Sequence, residues 1–154
     1  MIQRIQTLYL ALATALAGFL LNGDIVKLIG EKGEVYSLSF KGISQIQNGV
    51  TELLEKSLPL TILMIIVPIL LFISILLFKN RKFQIRVTVF STLLFAGVLI
   101  LMLFYIFVAG KNIGADPIFN IKLVFPIVGI IFGYLAFRAI LKDELLIKSY
   151  DRIR

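Results

Sequence analysis

Glu52 and Glu55 stand three residues apart, a spacing that on a helix stacks two carboxylates one turn above the other. Paired acids of this kind serve general acid–base catalysis or hold a divalent cation through oxygen. Nothing else in the chain converges on them. Asp24, Glu31, Glu34 and Asp116 are scattered, so a solvated helix face is the better reading. Gly30 and Gly33 lack the Lys-Ser/Thr ending of a phosphate-binding loop and read as part of a hairpin turn. The chain has no His, Cys or Trp. Their absence excludes thiol nucleophiles, disulfides, haem or iron–sulfur ligation, His-based zinc sites and imidazole catalysis. Lys142-Asp143-Glu144-Leu145 spells a retention signal, but such a signal is read only at the extreme C-terminus. No catalytic residue, cofactor or metal is therefore expected, and the chain is not expected to be an enzyme.

The polar groups within apolar stretches are few: Thr61, Ser74, Thr88, Ser91, Thr92, Tyr105 and Tyr134. Thr88, Ser91 and Thr92 share one helical face and can hydrogen-bond between helices. Transport and proton relay use acids or bases at mid-span. The chain has none there, since Arg138 lies within a turn of a boundary and can snorkel to it. The alternative of a small transporter or lipid-handling protein would place a cavity near Pro68, a mid-helix proline expected to bend its helix, and the Thr88/Ser91/Thr92 face.

The elements that carry these residues follow from hydropathy. Of the 154 residues 59% are apolar and 16% charged, and the mean hydropathy is +0.98. An average soluble domain has roughly 45–50% apolar residues, and one this small is mostly surface. The chain is expected to be an all-α membrane protein, a four-transmembrane-helix bundle forming a single membrane domain over residues 1–154. The apolar runs cover about residues 5–21, 58–78, 87–109 and 121–141. A helix of ~20 residues matches the thickness of the hydrocarbon core, and only a helix satisfies its own backbone there. Ala13-x-Ala15 or Ala15-x-Ala17 resembles a signal-peptide cleavage site, but the apolar run continues beyond them through Leu21, so this span is expected to be retained.

Charge placement sets the expected orientation. Arg4 precedes the first span. Lys79, Arg81, Lys82 and Arg86 fill a short loop without acids, and the tail 142–154 carries Lys142, Lys148, Arg152 and Arg154. The loop 22–57 holds four lysines against five acids. Both termini are thus expected in the cytoplasm, with loop 22–57 outside. The net charge of +7 is read as attraction to anionic lipid headgroups through Arg4, Lys79, Arg81, Lys82, Arg86 and Arg138, with no nucleic-acid partner. Within the outer loop, Ile25–Ile29 and Glu34–Phe40 alternate as strands of a small hairpin, with Tyr36, Leu38 and Phe40 on one face. Val50–Ser57 reads as a short helix, supported by Glu52 and Lys56 at i and i+4.

Small residues mark close approach between membrane helices. Gly129, Gly133 and Ala136 share a face of the fourth span, and Ala11, Ala15 and Gly18 a face of the first. Pairing of these two faces would close a four-helix ring; the fourth span is also a candidate homodimer contact. Leu146, Tyr150 and Ile153 form a narrow apolar stripe on the tail beside Arg152, a candidate docking motif for another membrane or cytoplasmic protein.

The opening Met1-Ile2-Gln3-Arg4-Ile5-Gln6-Thr7-Leu8-Tyr9 and the closing Lys142-Asp143-Glu144 with Ser149, Asp151, Arg152 and Arg154 resemble a family of Gram-negative bacteria. This is the family catalogued as domain of unknown function forty-two ninety-three, small proteins with four membrane spans, and the likeness covers the whole chain. It implies a multi-pass inner-membrane location and draws attention to the two chain ends. It supplies no catalytic residue, because the family has no established activity. The four-span order with an outer hairpin also resembles claudin-type architecture, a likeness of fold alone. Together these readings suggest a non-enzymatic accessory or scaffold subunit of a membrane complex.

Overall fold

The computed structural model describes residues 3–30, 34–47 and 50–151. Among them are four long helices: α1 (Gln3–Leu20), α2 (Leu58–Leu76), α3 (Arg81–Ile113) and α4 (Phe125–Asp151). Helices α2, α3 and α4, with α2 counted with the 3-10 turn after it and α4 with the one before it, are long and apolar enough to cross a membrane. The apolar part of α1, Ile5–Leu20, is shorter. Around the bundle, α1 packs on α2 and α4, and α3 packs on the same two helices. The expected pairing of first and fourth helices thus closes a ring. Its axis is filled by Leu10, Ala13 and Ala17, by Leu60, Met64, Val67 and Leu71, by Phe95, Val98 and Met102, and by Ala136 and Ile140, each at most 2% exposed. The outer faces remain apolar, with Ile69, Phe72, Leu93, Ile100, Phe107 and Ile131 among the exposed side chains.

Charge does not end α3 where the apolar run ends. The helix begins at Arg81 and runs for 33 residues, about 50 Å. Arg81, Lys82 and Arg86 are therefore helical, and the connection from α2 shrinks to a 3-10 turn, Leu77–Lys79, plus Asn80. Lys and Arg are good helix formers, so hydropathy marked only the apolar middle of a longer element. Gly114 stops it by adopting φ +63°, a left-handed cap that glycine takes without strain.

The largest departure from expectation is the sheet. The hairpin of β1 (Val26–Gly30) and β2 (Val35–Ser39) forms, but β3 (Gly42–Gln47), β4 (Val50–Lys56) and β5 (Ala115–Phe119) extend it to five antiparallel strands in the order β4-β3-β2-β1-β5. Val50–Lys56 is a strand and not the expected helix. Its Glu52–Lys56 spacing fits a helix, but pairing with β3 outweighs that local preference. β5 comes from the short segment between α3 and α4, outside the apolar runs, and pairs with β1.

Val26, Leu28, Leu38 and Ile43 lie on one sheet face and are at most 3% exposed. That face rests on the bundle, where β1 and β5 meet α3 and β3 meets α2. Gly42 has φ +140°, and a Cβ there would overlap the Glu55 carbonyl oxygen. Only glycine allows the β2–β3 turn to come this close to β4. Thr61 of α2 fastens the turn by donating to the Phe40 carbonyl at 2.7 Å.

Candidate functional site

At the bundle end opposite the sheet, all four helices contribute polar side chains. Gln6 of α1 donates through Nε2 to the Ala139 carbonyl at 3.2 Å and to Asp143 Oδ2 on α4. Arg81, the first residue of α3, brings Nη1 to 3.4 Å from the same oxygen. One turn along α3, Gln84 donates to the Ser74 carbonyl of α2 at 3.0 Å, and the Ser74 and Thr88 hydroxyls lie 2.7 Å apart. Gln6, Ser74, Gln84, Thr88 and Asp143 are each at most 5% exposed. Side-chain donors thus meet backbone carbonyl and side-chain acceptors between helices, where an unmet buried polar group would cost stability.

One atom breaks this pattern. Asp143 Oδ1 is buried with no hydrogen-bond partner among the described residues. Beside the cluster opens a cavity of about 450 Å³ lined by Gln6, Ile75, Leu76, Phe78, Arg81 and Gln84. Its lining is polar at Gln6, Arg81 and Gln84 and apolar at Ile75, Leu76 and Phe78. Among the described residues, no three of His, Cys, Asp and Glu gather into a metal-holding group.

Thr88 makes the interhelical bond that its helical face suggests, but Gln6, Arg81 and Asp143 have roles that spacing does not show. Arg81 was assigned to lipid headgroups, yet it pairs with Asp143 and its side chain is only 21% exposed. Gln6 and Asp143 are 137 residues apart, and no spacing rule connects them. The available signal was their position in the two terminal stretches that carried the family resemblance. Lys79, Lys82, Arg86 and Arg138 are exposed, whereas the side chain of Arg4 lies outside the described residues.

The small faces divide differently from expectation. Gly129, Gly133 and Ala136 are buried, but the two glycines meet α3. A Cβ at Gly129 would overlap the Phe95 ring, and one at Gly133 the Thr92 side chain. On α1 the buried small residues are Ala13 and Ala17; Ala11 and Ala15 are exposed, and a Cβ on Gly18 would meet nothing within 4 Å. The face that packs includes Gln6, Leu10, Ala13, Ala17 and Leu20, mixed in size, so a search for small residues alone selected the wrong stripe. Leu146 is exposed, the side chain of Tyr150 is not described, and Arg152 and Ile153 lie outside the described residues.

The Thr88/Ser91/Thr92 face holds no ligand-seeking hydroxyl. Ser91 and Thr92 donate back to the Thr88 carbonyl at 3.0 and 2.7 Å, and Thr88 itself meets Ser74. Glu52 and Glu55 are exposed on β4, opposite Gln45 and Ile43, and not stacked on a helix.

The family model described as Domain of unknown function (DUF4293) matches residues 2–153. The chain belongs to the DUF4293 family. This match agrees with the resemblance carried by the terminal stretches. Gln6 and Asp143, both within the matched region, are the points at which a DUF4293 chain brings its two ends together here. No curated protein gives a significant match.

Proposed function

We propose that the chain is a multi-pass protein of the bacterial inner membrane that serves as a non-enzymatic accessory or scaffold subunit. Its four helices span the bilayer, both termini and the Lys79–Arg86 segment lie in the cytoplasm, and the sheet lies outside. Apolar length supports spanning for α2, α3 and α4, while α1 joins them through its packing in the ring. The skew of Lys and Arg towards the chain ends and the α2–α3 connection supports the orientation.

The observation that carries the scaffold reading is the outer face of the sheet. Ile29 and Leu53 are 41% and 42% exposed there, and Leu54, 54% exposed, has no cross-strand partner because the ladder shifts register beside it. Leu53 and Leu54 adjoin on the edge strand β4, and an exposed apolar pair on a sheet edge supports a protein contact there. A bundle axis filled with side chains further favours assembly over passage of a solute.

Native mass spectrometry after extraction into polymer nanodiscs tests this reading. The wild-type chain is expected to leave the membrane in a stoichiometric complex, and Leu53→Lys/Leu54→Lys is expected to come out alone. Recovery of the wild-type chain as a solitary monomer would contradict a scaffold role.

A further inference from the structure

Helices α1 and α4 leave a groove of about 570 Å³ between them near the end that carries the chain termini. Arg138 and Lys142 stand at its polar margin, with Ile5, Tyr9, Leu135 and Leu145 among its apolar walls. The two cations are four residues apart on α4, so they share a face about 6 Å apart along the axis. Both are exposed, and neither has an ion-pair partner among the described residues. Among the described residues, no acid lines the groove. The nearest carboxylate in sequence, Asp143, is buried and engaged by Gln6 and Arg81.

The depth profile is amphiphilic. α1 enters from this end and α4 leaves through it, so Tyr9 and Leu135 lie deeper in the bundle than Ile5, Arg138 and Lys142, while Leu145 lies nearer the chain end than either cation. Tyr9 is held against Phe132 with ring centroids 6.2 Å apart, which stiffens the deep end of the apolar wall. A charged rim above an apolar slot between two helices suits a ligand with an anionic head and a hydrocarbon tail. A phosphodiester can accept hydrogen bonds from a guanidinium and an ammonium together, and an acyl chain can lie along Tyr9 and Leu135.

We propose that this groove binds one anionic diacyl phospholipid, with its phosphate between Arg138 and Lys142 and an acyl chain in the slot below. Such a lipid would be a specific ligand, distinct from the diffuse attraction of a basic membrane surface.

The test is native mass spectrometry of the full chain in detergent, titrated with dioleoylphosphatidylglycerol or dioleoylphosphatidylcholine. The wild-type chain should retain one phosphatidylglycerol with a preference of roughly tenfold or more over phosphatidylcholine, whose phosphodiester carries a choline ammonium that the two cations repel. Arg138→Gln/Lys142→Gln should abolish that preference, while Lys79→Gln/Lys82→Gln, with the same change in charge, should keep it. Leu135→Trp retains both cations and fills the slot, and it should lose the lipid while melting at the parental temperature. Equal loss in both charge-removed pairs would overturn the proposal in favour of general basic attraction. Equal retention of the two lipids, or displacement of phosphatidylglycerol by millimolar inorganic phosphate, would overturn it as well.

Discussion

Asp143 uses one carboxylate oxygen to hold two helices, accepting from Gln6 of α1 and pairing with Arg81 of α3, while its other oxygen is buried without a partner. Removal of such an acceptor leaves two donors unmet. Asp143→Ala should therefore destabilise the bundle by about 1.5–3 kcal/mol, measured by thermal unfolding in one detergent. The apolar replacement Arg81→Met/Asp143→Leu should recover much of that loss, because a well-packed pair avoids the cost of burying charge. At Gly133, where any Cβ would overlap Thr92, Gly133→Leu should cost ~1–3 kcal/mol through overpacking. Ile131→Leu should melt like the parent, since Ile131 is 52% exposed. The glycine pair was legible from spacing alone, but its partner was not, because a small face does not state which neighbour it admits. Tyr36 supplies a pH signature in the sheet. Its phenol donates to Glu34 Oε2 at 2.6 Å, and this bond, with burial and the nearby carboxylate, raises its pKa above the usual value of about 10. A raised acid contributes stability below its unfolded pKa, and that contribution fades as pH rises through the folded value. Ultraviolet titration should show a phenol ionising late, and Tyr36→Phe should remove that phase.

Among the elements, β1 and β2 were readable because alternation places Tyr36 and Leu38 on a buried face. β4 was not, because its described side chains from Glu52 to Lys56 are all exposed, so no buried period of two appears. Without that signal, the four-residue spacing of Glu52 and Lys56 favoured a helix, and only pairing across the sheet decides for a strand. β5 depends equally on a distant partner, β1, which lies more than eighty residues earlier in the chain. The joint between β3 and β4 rests on Gly42. Gly42→Ala combines a strained φ of +140° with overlap on the Glu55 carbonyl, and should destabilise by about 1–3 kcal/mol. Amide hydrogen exchange checks the location of the effect. Protection should fall along β3 and β4 and persist in α3.

At the scale of the whole molecule, a ring of four helices carries a sheet at one end and a charged latch at the other. Hydropathy made the helices legible because apolar length is a property of contiguous residues. The latch was hidden because Gln6, Arg81 and Asp143 meet only after the ring closes. In the proposed topology the two ends lie on opposite sides of a bilayer, with the latch inside and the sheet outside. A chain without cysteine permits a clean test by single-cysteine labelling. Lys27→Cys on β1 and Lys82→Cys on α3 both replace exposed side chains. Treated with a membrane-impermeant maleimide in intact spheroplasts, Lys27→Cys should label at once and Lys82→Cys only after the membrane is permeabilised. Immediate labelling of Lys82→Cys with protection of Lys27→Cys would reverse the topology, and immediate labelling of both would contradict a membrane-spanning chain.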